Sequence, residues 1–141
     1  VARIALRPWR GERQTREFRF RVPGSLARGE YRILVSNADI LNRPQAMAGM
    51  ASRQMSLAQT ASLLEQERSN DRLYISLLTS RPTVYVEDQA MREVPPSVLA
   101  AMQNPRTPGR ALATPETVLP LGEIPLDSLV AGSAVLRLKV Q

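Results

Sequence analysis

The chain is 141 residues long, 43% hydrophobic and 23% charged with 7 Gly, a composition that fits one globular domain and excludes a wholly disordered, collagenous or membrane-spanning chain. It has no Cys and no His, which excludes disulfides, thiolate nucleophiles, imidazole bases and Cys/His metal sites, and with them most hydrolase and zinc chemistry. Nineteen basic residues against 13 acidic ones give a net charge of +6, and eighteen of the basic residues are Arg. Arg3, Arg7, Arg10, Arg13, Arg16, Arg19, Arg21, Arg28 and Arg32 crowd the first 32 residues, mostly alternating with apolar side chains. This is the pattern of a solvated strand face. A nucleic-acid groove accounts for it less well, because an aromatic content of 4% leaves few stacking platforms.

Ala2, Ile4 and Leu6 alternate with Arg3, Ala5 and Arg7, and Phe18, Phe20 and Val22 alternate with Glu17, Arg19 and Arg21, which predicts two strands joined by a connection of five to seven residues. Pro23-Gly24 ends the second strand, and Tyr31, Ile33 and Val35 start a third. The order Leu26, Gly29, Tyr31 matches the entry to a late sandwich strand, where a tyrosine corner ties a loop to the sheet through its hydroxyl. From Ser36 to Ser69 the period turns helical; Ser56 is an N-cap with Gln59 three residues on, followed by Leu57, Ala61, Leu64 and Arg68 at helical spacing. Glu65 and Glu67 fall late in this helix, against its dipole, and call for solvent or local pairing with Arg68 and Arg72. Met47, Met50 and Met55 read as gap-filling packing and not as a binding face, because with Gly49 intervening and Pro44 nearby the three methionines make no continuous groove.

Leu73 to Leu78 and Thr83 to Glu87 read as the two strands of a hairpin around Ser80-Arg81-Pro82, with Glu87 to Ala90 as the next turn. Pro95-Pro96-Ser97 starts a short helix to about Gln103, Asn104 to Pro115 reads as a proline-rich loop, and Val118 to Ile124 and Val135 to Val140 are the last strands. The whole predicts a β-rich α+β fold: an immunoglobulin-like β-sandwich of first strands over 1–36, a helical insertion over 37–70, and completing strands over 71–141 with a short helix near 96–103. Val1 is not Met and already opens a strand, so the chain reads as a fragment of a longer protein with a further strand or domain covering part of its sheet.

A serine nucleophile would need the one lysine, Lys139, as its base, and that residue falls on the arginine-bearing face of the last strand. Glu87-Asp88 is the one adjacent acidic pair, with Glu93 nearby, and it reads as a solvated turn, while Asp39, Asp71 and Asp127 each flank a turn or cap. No phosphate loop, dinucleotide fingerprint or calcium loop occurs. No catalytic residue, metal ligand or cofactor follows. The binding candidates are Trp9, flanked by Arg7 and Arg10, together with Arg19 and Arg21; a Trp in that setting either closes the end of a sandwich core or stands exposed as a platform.

Leu6-Arg7-Pro8-Trp9-Arg10-Gly11-Glu12, Pro23 to Tyr31, Ser69-Asn70-Asp71-Arg72-Leu73-Tyr74, Pro95-Pro96-Ser97-Val98-Leu99 and Ile124-Pro125-Leu126-Asp127 with Gly132-Ser133 occur in this order along nearly the whole chain. Taken together they resemble the C-terminal region of SpoIVB-type serine peptidase-like proteins from acidobacterial genomes. The resemblance implies a secreted or cell-envelope multidomain protein with a peptidase-like region upstream. That family's catalytic pair includes a His, so no catalytic residue carries over to a chain without one. The expected function is a non-catalytic accessory domain making protein–protein or domain–domain contacts with the upstream domain or another envelope protein. The helical insertion and the Asn104 to Pro115 loop are its expected surfaces. The alternative is a binder of an anionic polymer, nucleic acid or acidic glycan, through the arginine-rich first hairpin.

Overall fold

The computed structural model describes residues 1–24, 26–51, 55–86, 88–104 and 111–140, with the backbone alone at 50 and 51. Alternation near the start becomes three strands, β1 (Ala2–Leu6), β2 (Gln14–Phe18) and β3 (Gly29–Ser36). Two helices follow, α1 (Ala38–Ala51) and α2 (Leu57–Glu65). Then come β4 (Arg72–Thr79), β5 (Thr83–Val86), β6 (Gln89–Met91), α3 (Pro96–Met102), β7 (Ala111–Thr114), β8 (Thr117–Pro125) and β9 (Ser133–Val140). The protein is β-rich, built from antiparallel sheets of two, four and three strands in the orders β1-β2, β8-β4-β3-β9 and β6-β5-β7.

The near-unbroken apolar run of β4 makes it a central strand covered on both faces. Toward one face, Ile33, Val35, Leu73, Ile75 and Leu77 form the core, and Ile4, Leu6 and Phe18 of the β1-β2 hairpin pack on it with Leu119, Leu121, Ile124 and Leu138. The opposite face carries Leu34 and Val118, which share a cavity of about 90 Å³ with Ile40, Leu41 and Pro44 of α1 and Thr83 and Tyr85 of β5. The four-stranded sheet is thus sandwiched between the hairpin and a layer made of α1 and the three-stranded sheet. Its order places β9 beside β3 after three successive antiparallel neighbours, the arrangement of a Greek key.

The β8-β9 connection crosses the end of this sheet and is tied down as it goes: Leu126 N–H donates to the Asp71 carbonyl (2.8 Å), Val130 N–H to Asn70 (3.0 Å), and Asn37 N–H to Gly132 (3.2 Å). The same end holds a side-chain latch. The Asp39 carboxylate accepts from Asn37 Nδ2 (2.9 Å) and Asn70 Nδ2 (2.7 Å), and Asn70 Oδ1 accepts the Ala38 N–H (3.1 Å) at the start of α1. Pro44 lies inside α1 without ending it.

Several local expectations are met. Tyr31 Oη donates to the Ala27 carbonyl at 3.0 Å, closing the tyrosine corner. Ser56 and Gln59 form both bonds of a capping box on α2. The β1-β2 connection spans residues 7–13.

Others are corrected. Phe20 and Val22 do not extend the second strand, because β1 begins at Ala2 and its partner at that point is Phe18; Phe20 stacks on Phe18 instead, with centroids 6.1 Å apart. Leu73 to Leu78 and Thr83 to Val86 form no hairpin: β4 lies between β8 and β3, while β5 turns into the other sheet between β6 and β7. Gln89 and Ala90, expected in a turn, are in β6. The stretch from Asn104 to Pro115 contains β7, which pairs with β5, while residues 105–110 lie outside the described residues. Glu65 and Glu67 are exposed, which meets the expectation of solvent at that end of the helix, while Arg72 pairs with Glu123 of β8 (2.5 Å) and Asp71 (3.6 Å).

Candidate functional site

The acidic residues singled out in the sequence are drawn into structure. Glu87 lies outside the described residues, so the Glu87-Asp88 pair has no geometry; the Asp88 carbonyl accepts from Gln45 Nε2 at 3.1 Å. Glu93 faces Arg81 at 3.7 Å, and Asp39 belongs to the latch. Among the described residues no three carboxylates converge on a point that could hold a metal ion. Lys139 is exposed and stands opposite Glu30 in the β3-β9 register.

Two surfaces remain. The first is a groove of about 330 Å³ between α1 and α2, lined by Asn42, Gln45, Ala46 and Gly49 on one wall and Thr60, Leu63, Leu64 and Glu67 on the other. Gly49 forms its floor, since a Cβ there would stand 2.9 Å from Leu63 Cδ1. Asn42 fixes the far end by exchanging two bonds with the Arg68 backbone: Nδ2 donates to the carbonyl (3.0 Å) and Oδ1 accepts the N–H (3.1 Å). Gln45 Nε2 donates to Gln66 Oε1 at 2.8 Å. Leu57 and Leu64 project from α2 with 87% and 66% of their surface exposed. Met47 and Met55 are not among the lining residues, in keeping with the expectation that the methionines form no continuous groove, but Met47, expected as gap-filling packing, is 52% exposed. The available signal was the small pair Ala46 and Gly49, three residues apart on one helical face.

The second surface is the apex of the β1-β2 hairpin. Arg7, Trp9, Arg10 and Arg13 occupy the connection, with Trp9 95% exposed, so it does not close the end of a core. Gly11 turns the apex at φ +128°, in the region that favours glycine. Arg19 and Arg21 are exposed but do not join this group. They follow Phe18, which pairs with Ala2 at the other end of the hairpin, four residues or about 13 Å along the strand from the Leu6 to Gln14 pair at the apex. Of the hairpin's guanidinium groups only Arg3 is in an ion pair among the described residues, with Glu17 at 2.8 Å; in the rest of the chain Arg32, Arg72 and Arg81 meet a carboxylate, while Arg28, Arg43, Arg68, Arg92 and Arg137 are in none of the described ion pairs.

Comparison with protein-family models, with curated proteins and with solved structures finds no match to this chain. No helix among the described residues is long and apolar enough to cross a membrane.

Proposed function

We propose that the chain is a non-catalytic interaction module of a secreted or cell-envelope peptidase-like protein, binding the peptidase-like domain of that protein through its helical insertion. The observation that carries this reading is the α1-α2 groove, a cleft lined on its α2 side by Leu63 and the exposed Leu64, with Leu57, outside the lining, exposed two turns before Leu64 on the same face of α2. Exposed Leu side chains beside a cleft are what a partner's apolar anchor needs, and Glu67 on the rim favours a partner that brings a basic residue beside that anchor. The immunoglobulin-like reading of the sandwich is part of the proposal, supported by the Greek-key strand order and the Tyr31 corner.

Calorimetric titration of this chain with the peptidase-like domain tests it. Binding with a Kd on the order of micromolar is expected, weakened at least about tenfold by Leu57→Asp or Leu64→Asp with the fold intact. Absence of binding at about a hundred times that concentration, or binding untouched by both substitutions, overturns the proposal. So does peptide hydrolysis by the chain alone that a serine-reactive probe abolishes.

A further inference from the structure

We propose that the β1-β2 apex docks on an anionic phospholipid surface, with the Trp9 indole entering the boundary between headgroups and acyl chains and Arg7, Arg10 and Arg13 meeting lipid phosphates. Three observations converge on this. The first is the exposure of Trp9, a large apolar ring with an N–H at one edge, the side chain best suited to a boundary that is dry on one side and wet on the other. The second is charge. The first 22 residues hold seven Arg and two Glu, a net +5 of the chain's +6, and one of those Glu is already taken by Arg3. The three apex guanidinium groups have no carboxylate partner among the described ion pairs, which leaves their forked donors available to phosphate oxygens.

The third observation separates a lipid surface from a nucleic acid. Strand binding needs a groove with successive aromatic faces. Here the other aromatic side chains are turned inward or tied: Phe18 stacks on Phe20 within the core layer, Tyr31 is bonded to Ala27, Tyr74 to Ser69, and Tyr85 lines the inner cavity. That leaves a single indole at a protruding tip, flanked by cations, with no second platform. Such a tip can enter an interface but cannot track a strand.

The test uses the chain as it is, since Trp9 is its only tryptophan and intrinsic fluorescence reports the apex alone. Vesicles of mixed phosphatidylglycerol and phosphatidylcholine are titrated against vesicles of phosphatidylcholine only, with sedimentation of the same mixtures. The expected result is a blue shift and co-sedimentation with the anionic vesicles alone, lost progressively between about 50 mM and about 200 mM salt. Arg7→Ala or Arg10→Ala should weaken partition about fivefold each. Trp9→Ala should reduce sedimentation while far-UV dichroism stays unchanged, because Trp9 takes no part in the core. No shift and no sedimentation with anionic vesicles at low salt overturns the proposal. So does tighter binding to heparin or a single-stranded oligonucleotide than to the vesicles, which would make the apex a polymer site. The outcome does not depend on the α1-α2 groove, so either proposal can fail alone.

Discussion

The ring of Phe18 fills the space that a side chain on Gly122 would need: a Cβ at that position would lie 2.5 Å from Phe18 Cζ. Gly122 has φ +155° and stands at the bulge where β8 shifts register against Ile75 and Ser76 of β4. One missing side chain thus serves both the bulge and the seating of the hairpin on the sheet. Gly122→Ala is expected to cost about 2 to 4 kcal/mol from backbone strain and the displaced ring, read as a lower urea midpoint. In a Phe18→Leu background the added cost should shrink by at least about 0.5 kcal/mol. Additive costs would show that the ring and the glycine do not interact.

Thr117, fully buried at the start of β8, makes three hydrogen bonds with one hydroxyl. It donates to the Arg81 carbonyl (2.8 Å) and so accepts from Thr83 Oγ1 (2.8 Å) and from the Glu93 N–H (3.1 Å). Glu93 is the one non-glycine described with positive φ, 55°, and this bond helps hold it there. Thr117→Val keeps the shape and leaves the buried Thr83 hydroxyl without this partner, while Arg81 and Glu93 are exposed, so a loss of about 1 to 3 kcal/mol in chemical denaturation is expected, against less than about 1 for Thr117→Ser. Equal losses for the two variants would mean that packing of the methyl group, and not the hydroxyl, holds the site.

What the sequence disclosed depended on how far apart the interacting residues lie. Ser56 with Gln59 and Tyr31 with Ala27 are three and four residues apart, and both interactions form as their spacing implies. Of the six strands around the core, β1, β3 and β9 likewise follow from alternation, and β4 from its apolar run. The sheet to which a strand belongs does not. Thr83 to Val86 has the same alternating signature whether it folds back on β4 or crosses to another layer, and β7 is too short to stand out beside a proline-rich stretch. The apex illustrates the same limit. Arg7, Trp9, Arg10, Arg19 and Arg21 look equivalent by composition, and only the β1-β2 register divides them between the two ends of the hairpin.

Asn70 joins the start of α1 to the turn before β4 through Asp39 and the Ala38 N–H, across about thirty residues of helical insertion. Asn70→Ala removes a donor and an acceptor together and leaves an α1 N–H unmet, so a loss of about 1 to 3 kcal/mol is expected. Hydrogen exchange should locate the effect: amides of the first turn of α1 should exchange faster, while those of β4 keep their protection relative to the global value. Uniform acceleration across both elements would show that the latch is part of the global fold and not a local clasp of the insertion.

Tyr85 makes stability depend on pH at the alkaline end. Burial raises its phenol above the ordinary 10.0, against the opposing pull of Arg92, Arg68 and Thr114, and Tyr74 is raised as well, by burial and then by Glu123. A phenol whose folded value is raised is protonated in the folded chain at a pH where the unfolded chain has already released its proton. The unfolded state then binds fewer protons, and stability falls as pH rises. The contribution is whole below about pH 10 and is lost above it, at no more than about 1.4 kcal/mol per pH unit for each tyrosine. The urea midpoint is therefore expected to hold level from about pH 7 to 9 and to decline above about 10, with a shallower decline in Tyr85→Phe. A midpoint that stays level through that range, or a Tyr85→Phe profile as steep as the parent's, would show that the phenol at position 85 reaches solvent as readily in the folded chain as in the unfolded one.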